Sequence, residues 1–254
     1  RYVNFTDLCV ADKNTITAPE LDKIKTVFGD DYLKAISDYE VVIKSPGIAL
    51  LDLISEEDKK KITSQTDLFI KHFTGKIIGV TGTKGKSTTT SLIYHILKNN
   101  GYDTKLLGNI GVPALSQIES LDENSVVALE LSCHQLEYVS ASPTISVLLN
   151  VFEEHLDHYV DFNAYRDAKY NIFKYQTEND TLIVNSDLDL PDCKSKKIYT
   201  SNKKIDANEY VYVDDKLNIK VGEDAFSIPV SDIKTHLIGI HNIYNIGIAL
   251  CACK

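Results

Sequence analysis

The chain has 254 residues, 43% of them hydrophobic and 25% charged, and a formal net charge of −9. That is the composition of an ordinary globular protein with one large domain or two smaller ones, and the acidity argues against nucleic acid as a partner. No run of about twenty apolar residues exists, so no membrane insertion by a helix is expected, and no signal peptide is visible at Arg1-Tyr2-Val3. In chain order, Asn4 to Val10 reads as a strand and Ala11-Asp12-Lys13-Asn14-Thr15 as the turn after it. Pro19 to Ile24 starts a helix, with Pro early and Glu20 and Asp22 in the first turn. Val41 to Ile43 reads as a short buried strand ended by Ser45-Pro46-Gly47, and Ser55 to Lys61 as a charged helix. A doubly wound domain should open with a strand and a Gly-rich turn, and neither is present. Residues 1–72 are therefore expected to form an incomplete Rossmann-like α/β domain whose N-terminus is missing.

From about Phe73 the pattern becomes regular. Strands are expected at Ile77–Thr81, Thr104–Leu107, Val126–Leu131, Ile145–Asn150 and Thr181–Asn185, and helices at Thr88–Asn99, Pro113–Ile118 and Phe162–Tyr175. This alternation predicts an α/β central domain over 73–254, with a mostly parallel sheet of the P-loop type flanked by helices. Lys197–Thr200, Tyr210–Val213, Leu217–Val221 and Ala225–Ile228 read as a small antiparallel addition, and His241 to Lys254 as a last helix. The five cysteines form no CxxC pair and are expected to be reduced thiols of a cytoplasmic protein. Methionine is absent, which at this length means either an unusual composition or methionines lost from the written sequence.

The chemistry concentrates in IIGVTGTKGKSTTTS, Ile77 to Ser91. An apolar strand stops at a turn holding Gly82, Gly85, Lys86 and Ser87, and a helix follows. Backbone N–H groups and the positive end of that helix point at one spot, Lys86 adds a mobile charge, and the Ser87 hydroxyl suits Mg²⁺. The strict P-loop spacing wants glycine at Val80; here it stands at Gly82. A chance Gly-Lys-Ser turn is the plain alternative. Glu130, near the end of its strand, is placed to hold Mg²⁺ through oxygen, unless it sits on a solvated edge. Asn150 to His158 puts five ionisable groups in the loop after the next strand, with His155 as a metal or phosphate contact; a polar surface loop is the alternative. Lys169 falls within the apolar arc of Phe162, Tyr165, Ala168, Ile172 and Phe173. It either snorkels outward, which the wheel alone favours, or is partly buried with a depressed pKa, when its neutral amine can take up CO₂. Asn109 lies in a Gly108–Gly111 turn, and Asn242 and Asn245 share a helix face, Asn242 being equally a cap.

Together these pieces closely resemble the Mur ligase family. The resemblance runs from about Val41 to the end. It is carried by KSPGI (Lys44–Ile48), GVTGTKGKSTTT (Gly79–Thr90), GNIGVPAL (Gly108–Leu115), LELSCHQLE (Leu129–Glu137), NVFEEHLDHY (Asn150–Tyr159), YRDAK (Tyr165–Lys169) and HNIYN (His241–Asn245). Within the family the match is to members that add D-glutamate to a UDP-linked muramoyl-L-alanine. The resemblance implies that Gly82, Thr83, Lys84, Gly85, Lys86, Ser87 and Thr88 bind ATP phosphates and that Asn242 and Asn245 approach the adenine. It implies one Mg²⁺ on Ser87 and Glu130, and a second metal site served by His155 and a carbamylated Lys169. Lys86, Glu130, His155 and Lys169 would carry catalysis. Asn109, Ser132, Gln135 and His155 would face the muramoyl substrate, with Ser45, Pro46 and Gly47 at the uracil, joined by Lys13 and Asn14.

The family has three domains, and by this resemblance residues 1–72 belong to the UDP-binding one, 73–254 to the ATP-binding one, and the amino-acid-binding one is absent. A monomer is expected. The sequence departs from the family at Lys84 (usually Asn), Cys133 and His134 (Ser and Phe), Glu154 (Asp) and His158 (often Arg). Another Mur-type ligase with a different amino acid, or a nucleotide-binding module without ligase activity, are the alternatives.

Overall fold

The computed structural model describes residues 5–50, 53–154 and 158–254. Its N-terminal stretch holds two parallel strand pairs: β1 (Cys9–Asp12) with β2 (Lys25–Phe28), and β3 (Val42–Ile43) with β4 (Ile62–Thr63). β1 lies later than expected, because Ala11 and Asp12 continue the ladder opposite Val27 and Phe28 instead of turning. The helix expected from Pro19 is a single 3₁₀ turn, Pro19–Leu21. Pairing of Lys25 with Cys9 pulls the chain out of helix, a tertiary demand that outweighs the local start signal. β2 and β4 are too short for a period-two pattern to announce them. Val41 and Ile43, expected buried, are 48% and 54% exposed, since the β3–β4 pair leaves one face uncovered.

Helix α1 (Glu56–Lys59) is shorter than expected and is capped by Ser55, whose hydroxyl accepts from Asp58 N at 3.1 Å. Helix α2 (Gln65–His72), not expected from the sequence, is capped by Ser64, which accepts from Asp67 N at 3.0 Å. Its Phe69 and Ile70, with Phe73, join the same core as Ile77, Leu129 and Leu148.

The main sheet is built from β5 (Lys76–Thr81), β6 (Thr104–Gly108), β7 (Val126–Glu130), β8 (Ile145–Leu148), β9 (Thr181–Asn185), β10 (Lys196–Ser201), β11 (Tyr210–Val213), β12 (Lys216–Val221) and β13 (Asp224–Pro229). Its order is β13-β12-β11-β10-β9-β8-β5-β7-β6. All pairs from β6 to β11 are parallel, and only the β11–β12 and β12–β13 pairs are antiparallel. This corrects the expectation that the strand after Lys197 begins the antiparallel part. The loop 202–209 returns the chain along β10, so that Tyr210 pairs with Tyr199 in parallel.

Strand alternation splits the core in two. Ile77, Leu129, Leu148 and Leu182 face α2 and α5 (Phe162–Lys174), which contributes Tyr165, Ile172 and Phe173. Ile78, Val80, Val147 and Ile183 face α3 (Lys86–Asn99) and α6 (Ile240–Ala252). The helix expected at Pro113–Ile118 is a 3₁₀ segment, Ala114–Ser120. There Ser116 and Ser120 donate back to the carbonyls of Pro113 and Gln117, at 2.7 and 2.8 Å, a local competition that disfavours a regular α-turn. Among the described residues no helix is long and apolar enough to cross a membrane.

β5 has β7 on one side and β8 on the other, whereas β6, next in sequence, lies outside β7. The strand order thus reverses at β5, and a crevice opens beyond the carboxyl ends of β5, β7 and β8, where open parallel sheets bind ligands.

Candidate functional site

The loop after β5 fills one side of this crevice. Gly82 (φ +152°) passes so close to the β8 extension that a Cβ there would stand 2.9 Å from Leu149 Cβ. Gly85 (φ +89°) caps α3 in the left-handed region, and no side chain occupies the cap. The first N–H groups of α3, at Lys86, Ser87 and Thr88, therefore have no intrahelical acceptor and form an anion-binding end. Lys86 Nζ folds over the loop and donates to the carbonyls of Gly82 and Thr83, both at 2.9 Å. Ser87 is exposed in the first turn of α3.

The loop after β8 grips this turn. Asn150 Oδ1 accepts from Thr83 N at 3.1 Å and Lys84 N at 2.8 Å, and its Nδ2 donates to Lys84 O at 3.0 Å. Thr83 Oγ1 lies 3.0 Å from the Tyr165 hydroxyl and accepts from Phe152 N at 2.9 Å. The exposed Lys84 is ion-paired with Glu154.

Glu130, at the end of β7, is only 1% exposed and so does not sit on a solvated edge. One oxygen, Oε1, accepts from Asn109 Nδ2 at 3.0 Å, while Asn109 N donates to Glu130 O at 3.0 Å. Gly108 (φ +107°) permits this approach, since a Cβ there would stand 2.2 Å from Glu130 O. The other oxygen, Oε2, is buried and has no hydrogen-bond partner among the described residues. A buried carboxylate oxygen left unpaired is costly unless a cation satisfies it, so this residue fits a divalent ion. Among the described residues no cluster of three metal-ligating side chains is found, and His155 lies outside the described residues.

Beyond β7, Ser132 caps α4 (Cys133–Leu136) in a capping box. Gln135 N donates to Ser132 Oγ at 3.3 Å, and Ser132 N donates to Gln135 Oε1 at 3.0 Å. Two residues expected to face substrate are thus also bonded to each other. They line a cavity of about 300 Å³ with Pro46, Lys86, Asn109, Cys133, His134, Glu154, Tyr165 and Lys169. A more open cavity of about 710 Å³, around Lys197, Tyr199 and Glu209, holds none of the expected residues.

Lys169 corrects the wheel. It does not snorkel: α5 carries it inward, 1% exposed, with Nζ donating to Gly82 O at 2.9 Å and standing 4.7 Å from the Tyr165 ring centroid. Burial holds its pKa at about 8, Lys86 adds to the depression, and Cys133 and Glu154 oppose it.

Other expected residues are placed as follows. Asn245 lies against the phosphate loop, its Oδ1 3.3 Å from where a Gly85 Cβ would be, and its Nδ2 donates to Asn242 Oδ1 at 3.3 Å. Asn242 Nδ2 donates to Ile238 O at 2.7 Å, closing the turn before α6. Ser45 and Gly47 are exposed and flank Pro46. Lys13 and Asn14 are exposed in the turn after β1 and do not line the cavity.

Sequence reasoning missed several participants. Lys44, 6% exposed, places its Nζ 3.0 Å from Glu137 Oε2 and 3.4 Å from Pro46 O, fastening the Ser45–Gly47 loop to the end of α4. His158 Nε2 lies 3.4 Å from the other Glu137 oxygen. The rings of His134 and His158 are 4.1 Å apart, and Tyr159 stacks on His134 at 5.8 Å. Burial pushes the Tyr159 phenol far above its ordinary range. The departures at His134 and His158 were visible in the sequence, but their contact was not.

A model of the Mur ligase middle domain matches residues 80–253. A UDP-N-acetylmuramoylalanine--D-glutamate ligase of Clostridium botulinum (strain Hall) is 39% identical over 242 residues, covering 91% of this chain and 52% of its own. The protein of the same description from Clostridium kluyveri is 36% identical over 240 residues, covering 91% and 51%. The chain spans about half the length of the curated relatives it matches. A MurF ligase structure from Thermotoga maritima, in complex with ADP, superposes with a TM-score of 0.54 at 18% identity, covering 97% of this chain and 62% of that one, a likeness of fold.

Proposed function

This chain belongs to the Mur ligase family, and on that premise we propose that it handles ATP and the muramoyl substrate in a ligase that adds D-glutamate to UDP-N-acetylmuramoyl-L-alanine. The observation that carries this reading is one cavity. Lys86, at the anion-binding end of α3, and the buried Lys169 line it, as does Asn109, whose amide holds one oxygen of the half-paired Glu130. Relatives that are 36% and 39% identical and are described as D-glutamate ligases supply the amino acid.

In the proposed reaction the substrate carboxylate attacks the γ-phosphorus of ATP and ADP leaves. The amine of D-glutamate then attacks the acyl phosphate, releasing phosphate. Carboxylate and polyphosphate repel each other, so positive charge must be held between them. Lys86 is the residue for the transferred phosphate, swinging from its own loop carbonyls. Glu130 and Ser87 would hold one Mg²⁺, and His155 with a carbamylated Lys169 the second. Magnesium supplies charge neutralisation at the phosphate oxygens. A pKa of about 8 leaves part of Lys169 neutral near pH 7, which attack on CO₂ requires. One N–H is lost as a proton in that step, and the remaining one keeps a donor for Gly82 O. Asn245, beside Gly85, would approach the adenine. Asn109, Ser132 and Gln135 face the muramoyl group, and Ser45–Gly47, with Lys13 and Asn14, the uracil. On this reading residues 1–72 are part of the UDP domain and 73–254 the ATP domain of a cytoplasmic monomer, whose free cysteines suit a reducing compartment.

ADP release by the intact gene product tests the reading. Release should require both UDP-N-acetylmuramoyl-L-alanine and D-glutamate. Equal release with another amino acid in place of D-glutamate overturns the specificity, and release with neither substrate overturns the ligase.

A further inference from the structure

Asn150 makes three side-chain hydrogen bonds to two consecutive residues of the phosphate loop. Its Oδ1 takes the N–H groups of Thr83 and Lys84, its Nδ2 reaches Lys84 O, and its own carbonyl accepts from Thr83 N at 2.9 Å. Engagement continues at alternate residues: Phe152 N donates to Thr83 Oγ1 at 2.9 Å, and Glu154 pairs with Lys84. The segment after β8 thus lies along the loop and bonds to it at residues 150, 152 and 154.

We propose that Asn150 is a positioning residue for the nucleotide phosphates. Its amide fixes the Thr83–Lys84 peptides, so that the anion site consists of the N–H groups from Gly85 to Thr88. The N–H groups of Thr83 and Lys84 are turned to Asn150 and take no part. This inference rests on the reading of the loop as a nucleotide site, and it assigns a role outside the residues that touch the nucleotide.

The physical case is preorganisation. Gly82 and Gly85 both sit at positive φ, and a loop so rich in glycine loses much conformational freedom when it is ordered around a ligand. A clamp that orders it beforehand lowers the cost of binding. Asparagine suits this role because one side chain offers an acceptor for two N–H groups and a donor for a carbonyl. Aspartate has the same shape but no donor when ionised, and it would set a negative charge against Lys84 O and beside the phosphates.

The test is titration calorimetry of the intact gene product with MgADP from pH 5 to pH 8, comparing wild type, Asn150→Ala, Asn150→Asp and Lys86→Ala. Asn150→Ala should weaken binding by about 10- to 100-fold at every pH, the loss expected for two or three hydrogen bonds and the order they impose. Asn150→Asp, ionised over most of this range, should lose more than Asn150→Ala at pH 8 and recover part of that loss toward pH 5, where a protonated fraction again offers a donor. That trend is one that a merely structural role would not produce. Affinity within twofold of wild type in both Asn150 variants overturns the clamp, as does an equal, pH-independent loss in both. If wild type binds MgADP no better than Lys86→Ala, the nucleotide reading fails and the clamp fails with it. Normal wild-type binding with unaffected Asn150 variants removes the clamp alone.

Discussion

Lys169 Nζ and Gly82 O stand 2.9 Å apart, joining the middle of α5 to the first residue of the phosphate loop through the interior. The bond places a buried ammonium where its charge is poorly solvated, and burial lowers its pKa from 10.5 to about 8. Below pH 8 the lysine is protonated in folded and unfolded chains alike, and the fold bears the full cost of the buried charge. Between about 8 and 10.5 the folded form gives up its proton first, the unfolded state binds more protons, and stability rises with pH. The gain should total on the order of 3 kcal/mol. Urea unfolding at several pH values across this window should show wild type gaining stability relative to Lys169→Met. Parallel curves for the two proteins would show that the charge is not buried at a cost.

The carbamate proposal concerns the same side chain. Lys169→Ala should lose most ADP release in the intact gene product, and short carboxylic acids should restore part of it by filling the vacated space. Lys169→Arg should not substitute, because a guanidinium keeps its charge and takes up no CO₂. Full activity in the Arg variant would sink the carbamate.

Glu130→Gln keeps an acceptor for Asn109 Nδ2 but removes the charge whose Oε2 has no partner among the described residues. Without divalent metal the variant should unfold at the same temperature as wild type or higher, since a buried charge is gone. The Mg²⁺-dependent part of its ATP affinity should fall by about 10-fold or more, since changing even the outer partners of metal ligands costs that much. Thermal melts in EDTA and titrations with and without Mg²⁺ read both effects; an unchanged Mg²⁺ response removes Glu130 from the metal site.

Lys86→Ala should cost about 10²–10³ in turnover of the intact gene product, the scale of losing one charge-stabilising donor. Its stability should change little, because among the described residues the half-buried Lys86 ammonium bonds to carbonyls of its own loop, Gly82 and Thr83. Near-normal ligation would remove this lysine from phosphoryl transfer.

Asp67 ties α2 to the segment after α4, accepting from Lys71 Nζ at 2.8 Å, Thr63 Oγ1 at 2.8 Å and Ser140 N at 2.7 Å. Burial alone would raise its pKa, but these donors outweigh burial and hold the carboxyl below its ordinary value. The stability it contributes is present above the ordinary carboxylate range and is lost as pH falls through the lowered folded value. Asp67→Ala should cost about 2–4 kcal/mol near pH 7, most of it from donors left unpaired. The gap to wild type in urea midpoint should narrow below about pH 4. A gap that stays constant into acid would mean that the lost packing, not the carboxylate, carries the effect.

Much of the central domain was legible in the sequence. Ile77–Thr81, the glycine turn and the helix behind it announce themselves by an apolar run, two closely spaced glycines and a helical period, all set by neighbours within a few residues. Glu130 was assignable to a strand end for the same reason. The first segment was less legible, since β2 and β4 have four and two residues and are held by pairing rather than propensity. The direction of β10 and β11 was misread because period-two alternation looks the same in parallel and antiparallel strands.

The site divides along the same line. By itself the sequence determined which residue types stand at the ends of β5, β7 and β8, because strand length and alternation place them there. Only the tertiary structure decided whom they meet. Lys169 finds Gly82 across 87 residues, Asn150 clamps Lys84 across 66, Ser140 reaches Asp67 across 73, and Lys44 reaches Glu137 across 93. Hydrophobic period reports which face of an element is buried and carries no record of its partner. Whether a lysine on an apolar arc snorkels or turns inward depends on a carbonyl waiting at the right depth, which exists only once the sheet and helices have packed.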